Sequence, residues 1–396
     1  DRYRIEGDKL VWSLGEKEAH LSDNVRIFGD IGEVTAGGAK IRPDEGICHL
    51  IGGVTAKIRG DALPGRGGDG DGEWEERMAG EWILDAHHAE LHYSHGDNTD
   101  KLRLFRALAA PGEQVTIRED RENGALLLGG EMTYDPALGT IRVLKGAGPD
   151  ALRPDFREGP NRVRAGQIDL SLISPLLEFS DAVDASLFRL PVGPEGKWPR
   201  WLAPEDGSND EIRTTLSAER LRLSSTANHD LERIEAWGEE GRPLELTHSA
   251  EKILHFKAAA VDWDGPAETI RAFGDGLQQM VLEDRADISA REIQFSLATW
   301  IARGHGDVHG IAMRPRPTDG EGPPLPPLTL DGPHVEVSLR PPAKEDQEGS
   351  SGVATPASTA SGTADSTAKT EEHTGEVIAA RAWSDTPGSV IVDEGS

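Results

Sequence analysis

One short phrase, Ala-x-x-apolar-x-apolar, recurs along the sequence and limits what the chain can fold into. In its copy at residues 288–308, Ile293, Phe295 and Leu297 alternate with polar residues, which is the period of a half-buried β-strand. A break at residues 298–299 leads to a second run, which Gly304 and Gly306 close. We expect these two runs to pair as a hairpin.

Further copies of the phrase begin at Ala36, Ala86, Ala165 and Ala218, with a less regular copy at Ala250 and a related form at Gly130. The copies are spaced unevenly, by roughly 30 to 55 residues, which fits a repeated supersecondary unit better than a strict solenoid. Each unit is expected to be a pair or triplet of strands. The small Ala near the start of each phrase leaves room where two β-layers approach each other.

Composition supports an all-β chain. The 46 Gly and 25 Pro residues predict frequent turns and few long helices. The best helical candidate lies around residues 174–187, where Leu176, Leu177, Val183 and Leu187 can form one apolar stripe. No apolar run is long enough to span a bilayer as a helix.

Charge excludes some classes of partner. A formal net charge of -28 removes the main energy source for binding nucleic acid and disfavours a bare anionic membrane. The single cysteine, Cys48, can form no internal disulfide and does not indicate a redox compartment. The sequence begins at Asp1 within a strand-like run, so we expect either that a leader was removed or that this is a piece of a longer chain.

Composition shifts divide the chain into five parts. We predict an N-terminal β-lobe at residues 1–172, an irregular connector at 173–213 and a second β-lobe at 214–340. A disordered linker rich in Ser, Thr and Ala follows at 341–374, and residues 375–396 are the start of a further β segment or a tail. The insert at residues 64–76, rich in Gly and Asp, is expected to be a long loop.

Candidate metal and catalytic sites are weak in the sequence. His88 and His92 share one face of a strand but lie about 13 Å apart at ~3.3 Å per residue, and His87 faces the other side. His305 and His309 suit a metal only on a helix, which their flanking glycines disfavour. The acidic run at residues 69–76 lacks an ordered calcium loop.

There is no nucleophile elbow, phosphate-binding loop or paired-Cys motif, so we expect no enzyme activity, no metal site and no cofactor.

The segment Gly-Gly-Glu-Met-Thr-Tyr-Asp-Pro-Ala-Leu-Gly-Thr-Ile-Arg-Val-Leu-Lys-Gly at residues 129–146 resembles the repeated unit of OstA/LptA-type lipopolysaccharide-transport proteins. Residues 289–306 and 218–238 resemble weaker copies. The resemblance implies an antiparallel open β-jellyroll, a folded β-ribbon whose apolar groove carries acyl chains across the periplasm. The inserts at 64–76 and 191–210 and the Ser/Thr linker depart from the compact form of that family.

The function expected on this basis is a lipid-binding transport scaffold in the periplasm or cell envelope. Its partners would be lipopolysaccharide or another acyl lipid, and other β-jellyroll envelope proteins that pair through edge strands; no nucleic acid is expected. The groove candidates are Leu91, Tyr93, Met132, Tyr134, Ile168, Leu170, Leu221, Leu223, Leu254, Phe256, Ile293, Phe295 and Leu297.

Two alternatives remain open from the residues alone. A structural or surface β-repeat protein with a closed core requires the same residue types as a lipid groove. A carbohydrate-active β-enzyme would require a polar cleft with carboxylates and an aromatic platform, for example from Trp198, Trp201 or Trp237.

Overall fold

The computed structural model describes most of the chain between residues 4 and 393. The described ranges are 4–29, 32–59, 80–95, 100–120, 124–148, 151–159, 161–171, 174, 176–188, 213–225, 231–249, 253–267, 269–282, 286–296, 299, 301–313, 327–339, 377–383 and 391–393.

These residues form antiparallel strands and one short 3-10 helix, Pro43–Glu45. The strands are β1 (Arg4–Glu6), β2 (Lys9–Ser13), β3 (Glu18–Gly29), β4 (Gly32–Arg42), β5 (Ile47–Arg59), β6 (Glu81–His95), β7 (Asp100–Leu108), β8 (Val115–Glu119), β9 (Leu126–Gly129), β10 (Glu131–Asp135), β11 (Thr140–Leu144), β12 (Asp155–Glu158), β13 (Asn161–Arg164), β14 (Gln167–Ser171), β15 (Leu176–Phe188), β16 (Arg213–Ser225), β17 (Leu231–Trp237), β18 (Leu244–Ser249), β19 (Ile253–Ala258), β20 (Ala260–Asp264), β21 (Thr269–Phe273), β22 (Gln278–Leu282), β23 (Ala286–Ala290), β24 (Glu292–Ser296), β25 (Ile301–Ala312), β26 (Leu328–Leu339), β27 (Val377–Trp383) and β28 (Ile391–Asp393).

The strands build one ribbon that is folded lengthwise into two facing layers. Each long strand crosses from layer 1 to layer 2 or back, and the short strands between them belong to one layer each. For example, the first half of β6 pairs with β8 in layer 1, whereas its second half pairs with β7 in layer 2. The short strands β7–β14 and β17–β24 alternate between the layers in the same order, so the predicted repeat is present. The predicted all-β, open-jellyroll class is confirmed.

The long strands cross between the layers at irregularities in their pairing. In β3 the register shifts around Asp23 and Asn24, and both residues have positive φ, 63° and 54°. Gly52 and Gly53 occupy the equivalent place in β5, with φ of 80° and 82°. Such bulges bend a strand sharply, and they keep the fold open along one side and closed along the other.

The recurring Ala marks these crossings, as its small size predicts. Ala36 and Ala218 lie in layer 1 just before a register shift, and the apolar residue three positions later lies in layer 2. Ala165 lies between β13 and β14, and Ala290 ends β23 just before β24. The two strands of each pair belong to different layers, and both Ala residues are completely buried. The phrase therefore encodes the step from one layer to the other where the layers are closest.

The outer face of layer 2 carries paired charges. Arg106 donates to Glu131, Arg222 Nε donates to Glu178 Oε1 at 2.8 Å, and Arg303 Nε donates to Glu336 Oε2 at 2.8 Å. These contacts join strands that are neighbours in the sheet, and half-exposed pairs of this kind contribute about 0–1 kcal/mol each. In these layer-2 strands, charged side chains on the outer face thus alternate with apolar side chains on the inner face.

Two sequence-based expectations are corrected. Residues 174–187 do not form a helix: β15 occupies Leu176–Phe188 and pairs along its length with β16. A bulge at Asp181 and Ala182 shifts the phase of its alternation, and the resulting four-residue gap between Phe179 and Val183 imitates a helical spacing. In β25, Gly304 and Gly306 do not end the strand but lie at its bend.

Two strands lie in the C-terminal segment. β27 and β28 both pair with β26, one in each layer, rather than with each other. The inserts at 64–76 and 191–210 and the linker at 341–374 lie outside the described residues. The five-part division stays a prediction, and β15 lies within the predicted connector. No helix in the described ranges is long and apolar enough to cross a membrane.

An apolar trough between the two layers as the candidate functional site

The inner face of layer 2 presents two parallel rows of apolar side chains. The row next to the bends is sealed: Leu50, Ala89, Ile168, Phe179 and Leu221 are all completely buried. Cross-strand register joins its members from strand to strand, in the order Leu21, Ala39, Leu50, Ala89, Ala107, Met132, Val143, Ile168, Phe179, Leu221, Ala236, Val261, Ala272 and Ile293.

The second row lies two residues further from the bends, toward the open side of the fold. It runs in register through Ile41, Cys48, Leu91, Phe105, Tyr134, Ile141, Leu170, Leu177, Leu223, Ile234, Trp263, Ile270, Phe295, Ala302 and Val337. Several of its members, including Leu91, Ile141, Leu177 and Leu223, are only partly buried. Burial therefore decreases from the bends toward the open side, which is the profile of a trough.

The trough widens into a cleft in the N-terminal part of the ribbon. Its layer-1 wall includes Ile27, Ala56, Leu84 and Ile117, and its layer-2 wall includes Leu91, Leu102, Phe105, Met132, Tyr134, Ile141 and Leu170. The cavity volume of the cleft is about 70 Å³. Gly29, Gly32 and Ala56 on the layer-1 wall contribute little side-chain volume, which leaves this space unfilled.

Two polar atoms in this apolar wall have no hydrogen-bond partner among the described residues. They are the indole Nε1 of Trp82 and the hydroxyl oxygen of Tyr134. Trp82 is 7% exposed and Tyr134 is 8% exposed, and both line the cleft, one from each layer. Burial raises the pKa of Tyr134 to about 12, so its hydroxyl stays protonated. A buried polar group without a partner is costly, so a bound acceptor would satisfy both.

The lip of the cleft carries charge. Glu33 and Lys57 are cross-strand neighbours in β4 and β5, and both contribute to the cleft lining. The Nζ of Lys57 lies 3.6 Å from Glu81 Oε1, and its side chain is largely exposed. The side chain of Lys57 alternates with those of Ala56 and Ile58, which line the cleft, so it lies on the outer face of layer 1.

The structure brings together many of the predicted groove residues. Leu91, Met132, Tyr134 and Leu170 line the cleft. Leu223 and Phe295 continue the open-side row, and Ile168, Leu221 and Ile293 belong to the sealed row. Leu254 and Phe256 lie in layer 1, in β19. Tyr93 packs partly buried against the core, and Leu297 lies outside the described residues.

The interior is filled more completely toward the C-terminal part of the ribbon. Phe256, Trp263 and Phe295 are nearly or completely buried there and occupy the space between the layers.

Cys48 faces the interior, where burial raises the pKa of its thiol to about 12, so it remains an unreactive thiol. Of the aromatic residues considered for a carbohydrate platform, only Trp237 is described, and the guanidinium groups of Arg220 and Arg222 lie over its ring.

Sequence analysis missed the layer-1 wall and a cluster of histidines. The layer-1 residues that face the groove, such as Ile27 and Trp82, belong to alternating runs outside the recurring phrase. His49 lies directly opposite Glu90 across the β5–β6 pairing, beside His88. Only the register of these two strands reveals that neighbourhood, because the residues are far apart in the sequence.

The chain is thus an all-antiparallel β protein with an apolar trough between two layers. No protein-family model matches it, and no curated protein does. Among solved structures it is similar to LptH from Pseudomonas aeruginosa, described as the LptA homologous periplasmic component of the lipopolysaccharide transport device. The match has 9% identity and a TM-score of 0.28, and it covers 40% of this chain and 96% of that one.

Proposed function

We propose that this protein binds the acyl chains of an amphipathic lipid, lipopolysaccharide or a lipid of similar build, in the trough between its layers and acts as a transport scaffold. The observation that carries the proposal is the cleft, in which apolar side chains from both layers face a space that is open on one side.

Acyl chains suit this site because burial alone provides the driving force. Each CH₂ group removed from water contributes ~0.8 kcal/mol, without any need for directional contacts. The open-side row continues beyond the cleft through Leu177, Leu223 and Ile270, all partly buried. A chain can therefore move along the ribbon from one apolar position to the next with little change in free energy.

The polar part of the lipid would remain at the lip. The net charge of -28 repels an anionic head group, and divalent cations are a means of screening that repulsion. The proposed mechanism is passive, and no covalent chemistry is assigned to the trough.

Edge strands support the proposed partners. Among the described residues, β2 pairs only with β3, and its side chains Leu10, Val11 and Trp12 are 64%, 49% and 49% exposed. An exposed apolar edge strand is a template for another β-strand. We propose that another β-jellyroll protein of the envelope pairs here, so that the two troughs continue each other, and we place the protein in the periplasm or envelope.

Photo-crosslinking tests the lipid assignment. Benzoyl-phenylalanine replaces Phe105, which lines the cleft, and in a second variant Leu104, which faces the opposite side of the same strand. Each variant is irradiated with lipopolysaccharide and, separately, with a diacyl phospholipid, and adducts are identified by mass spectrometry. We expect adducts at position 105 and none at position 104.

The two lipids distinguish the substrate class. Adducts at position 105 with lipopolysaccharide alone support a glycolipid carrier, whereas adducts with both lipids support a general acyl-chain carrier. Equal labelling at positions 104 and 105, or none at either, would overturn the proposal in favour of a closed-core structural protein.

A further inference from the structure

The outer face of layer 2 carries a second cluster, formed by His49 of β5 and by His88 and Glu90 of β6. His88 and Glu90 are two positions apart and so lie on one face of β6, and His49 is the cross-strand partner of Glu90. The sequence offered His88 and His92 as possible co-ligands, and these are too far apart. Strand pairing instead brings His49, from the neighbouring strand β5, next to Glu90 and His88.

The ligand atoms of the three residues converge on one Glu90 oxygen. His49 Nδ1 lies 3.5 Å and His88 Nε2 lies 3.9 Å from Glu90 Oε1. One ligand atom from each residue lies within 4.8 Å of the other two. These separations exceed an ordinary hydrogen bond of ~2.7–3.2 Å. They approach the roughly 3.3 Å that separates ligand atoms around a tetrahedral ion with bonds of ~2.0–2.1 Å.

The surroundings leave this oxygen free for an ion. The other carboxylate oxygen, Oε2, faces Arg106, whose Nη1 lies 3.7 Å away, and His92, whose Nε2 lies 3.8 Å away. Arg106 is itself held by Glu131 through its Nε at 2.7 Å, so its charge is already neutralised.

We propose that His49, His88 and Glu90 form a binding site for a borderline divalent transition-metal ion such as Zn²⁺, with water in the fourth position. Two imidazoles and one carboxylate are a ligand set that suits such an ion. The ion joins β5 to β6 on the face opposite Cys48 and Leu91, whose side chains point into the trough. It therefore stabilises the section of the ribbon that carries the cleft, and the site is independent of lipid binding.

Titration of the chelator-treated full chain with ZnCl₂ tests this site by calorimetry and by thermal unfolding. Wild type is compared with His49→Gln, His88→Gln and the control His87→Gln, whose side chain is exposed and contributes no ligand atom to the cluster. We expect one Zn²⁺ per chain and a higher melting temperature with Zn²⁺ in wild type and H87Q. H49Q and H88Q should lose more affinity than the ~10–100-fold that loss of an outer-shell partner costs.

Cobalt absorption provides a readout that does not depend on stability. Co²⁺ in a site with two imidazoles and a carboxylate gives visible d–d bands, and these should be absent in H49Q and H88Q. Either of two results would overturn the proposal: no stoichiometric metal binding by wild type, or the same affinity in H49Q and H88Q as in H87Q.

Discussion

Arg42 Nε donates a 2.8 Å hydrogen bond to Glu18 Oε2, and this contact joins the start of β3 to the end of β4. Lys40 Nζ lies 2.8 Å from the other carboxylate oxygen. The side chain of Glu18 is only 3% exposed, so its charge depends on these two partners and on His20, whose Nε2 also contacts Oε1. Together they hold the pKa of Glu18 at about 2, well below its ordinary value.

We predict that Glu18→Gln destabilises the protein at neutral pH and that the difference from wild type disappears in acid. Because the folded-state pKa is depressed, the contribution of Glu18 is complete above its unfolded value of ~4.3 and is lost as the pH falls toward about 2. Urea unfolding of both proteins across this range measures the effect. Glu245→Gln is the control, since its side chain is 67% exposed and pairs only loosely with Lys257. An equal, pH-independent loss in both variants would contradict the prediction.

Filling the cleft should separate ligand binding from stability. Ala56 is 1% exposed but borders the cleft, so we expect Ala56→Leu to extend into the cleft, to cost less stability than a change in the sealed row, and to reduce lipid crosslinking at position 105. Ala89 belongs to the sealed row and is completely buried. Overpacking at such a position typically costs ~1–3 kcal/mol, and we expect Ala89→Leu to show that loss.

Equilibrium unfolding of these two variants decides between an open trough and a closed core. If Ala56→Leu is as destabilising as Ala89→Leu, the space between the layers at position 56 is filled in solution. That result would remove the main support for a lipid site.

Tyr134→Phe should weaken the binding of a polar acyl lipid without harming the fold. The Tyr134 hydroxyl has no partner among the described residues, so its removal leaves stability unchanged or raises it, since an unsatisfied buried polar group costs ~1–3 kcal/mol. Affinity for a fatty-acid ester should fall by up to about tenfold, the equivalent of one hydrogen bond. Trp82→Phe removes the other donor and should behave in the same way.

A plain alkane provides the control for these variants. It has no acceptor, so its affinity should be the same in wild type, Y134F and W82F. A loss of stability in unliganded Y134F would indicate that the hydroxyl has a protein partner, and would contradict the assignment of this atom to a ligand.

The strands and the inward direction of their apolar residues could be predicted because a period of two is visible locally. Ile293 and Phe295 are both buried in β24, as the alternation indicates. The position of the layer crossings also has a local signal, the Ala at the start of each phrase. Each of these features depends only on residues a few positions apart.

The bulges and the partnerships across strands could not be predicted in this way. In β15, two residues with positive φ shift the alternation and imitate a helix. The pairing of His49 with Glu90 depends on the length of the connection between β5 and β6, which no local pattern fixes. The cleft depends on Ile27 facing Tyr134 across the layers, a relationship set by the folding of the entire ribbon.

The bend in β15 gives a final prediction about the backbone. Ala182 has a φ of 58°, in the left-handed region that costs a residue with a Cβ roughly 1–2 kcal/mol. Glycine adopts this conformation without that cost but loses ~0.5–1 kcal/mol more conformational entropy on folding. Ala182→Gly should therefore raise the free energy of unfolding slightly, by up to about 1 kcal/mol.

At the corresponding bend of β5, Gly53 has a φ of 82° and open space around it, so Gly53→Ala should lower stability through backbone strain alone. The two substitutions exchange alanine and glycine in opposite directions, so their effects on the free energy of unfolding should have opposite signs. If urea unfolding shows changes of the same sign, the positive φ values do not set the bend.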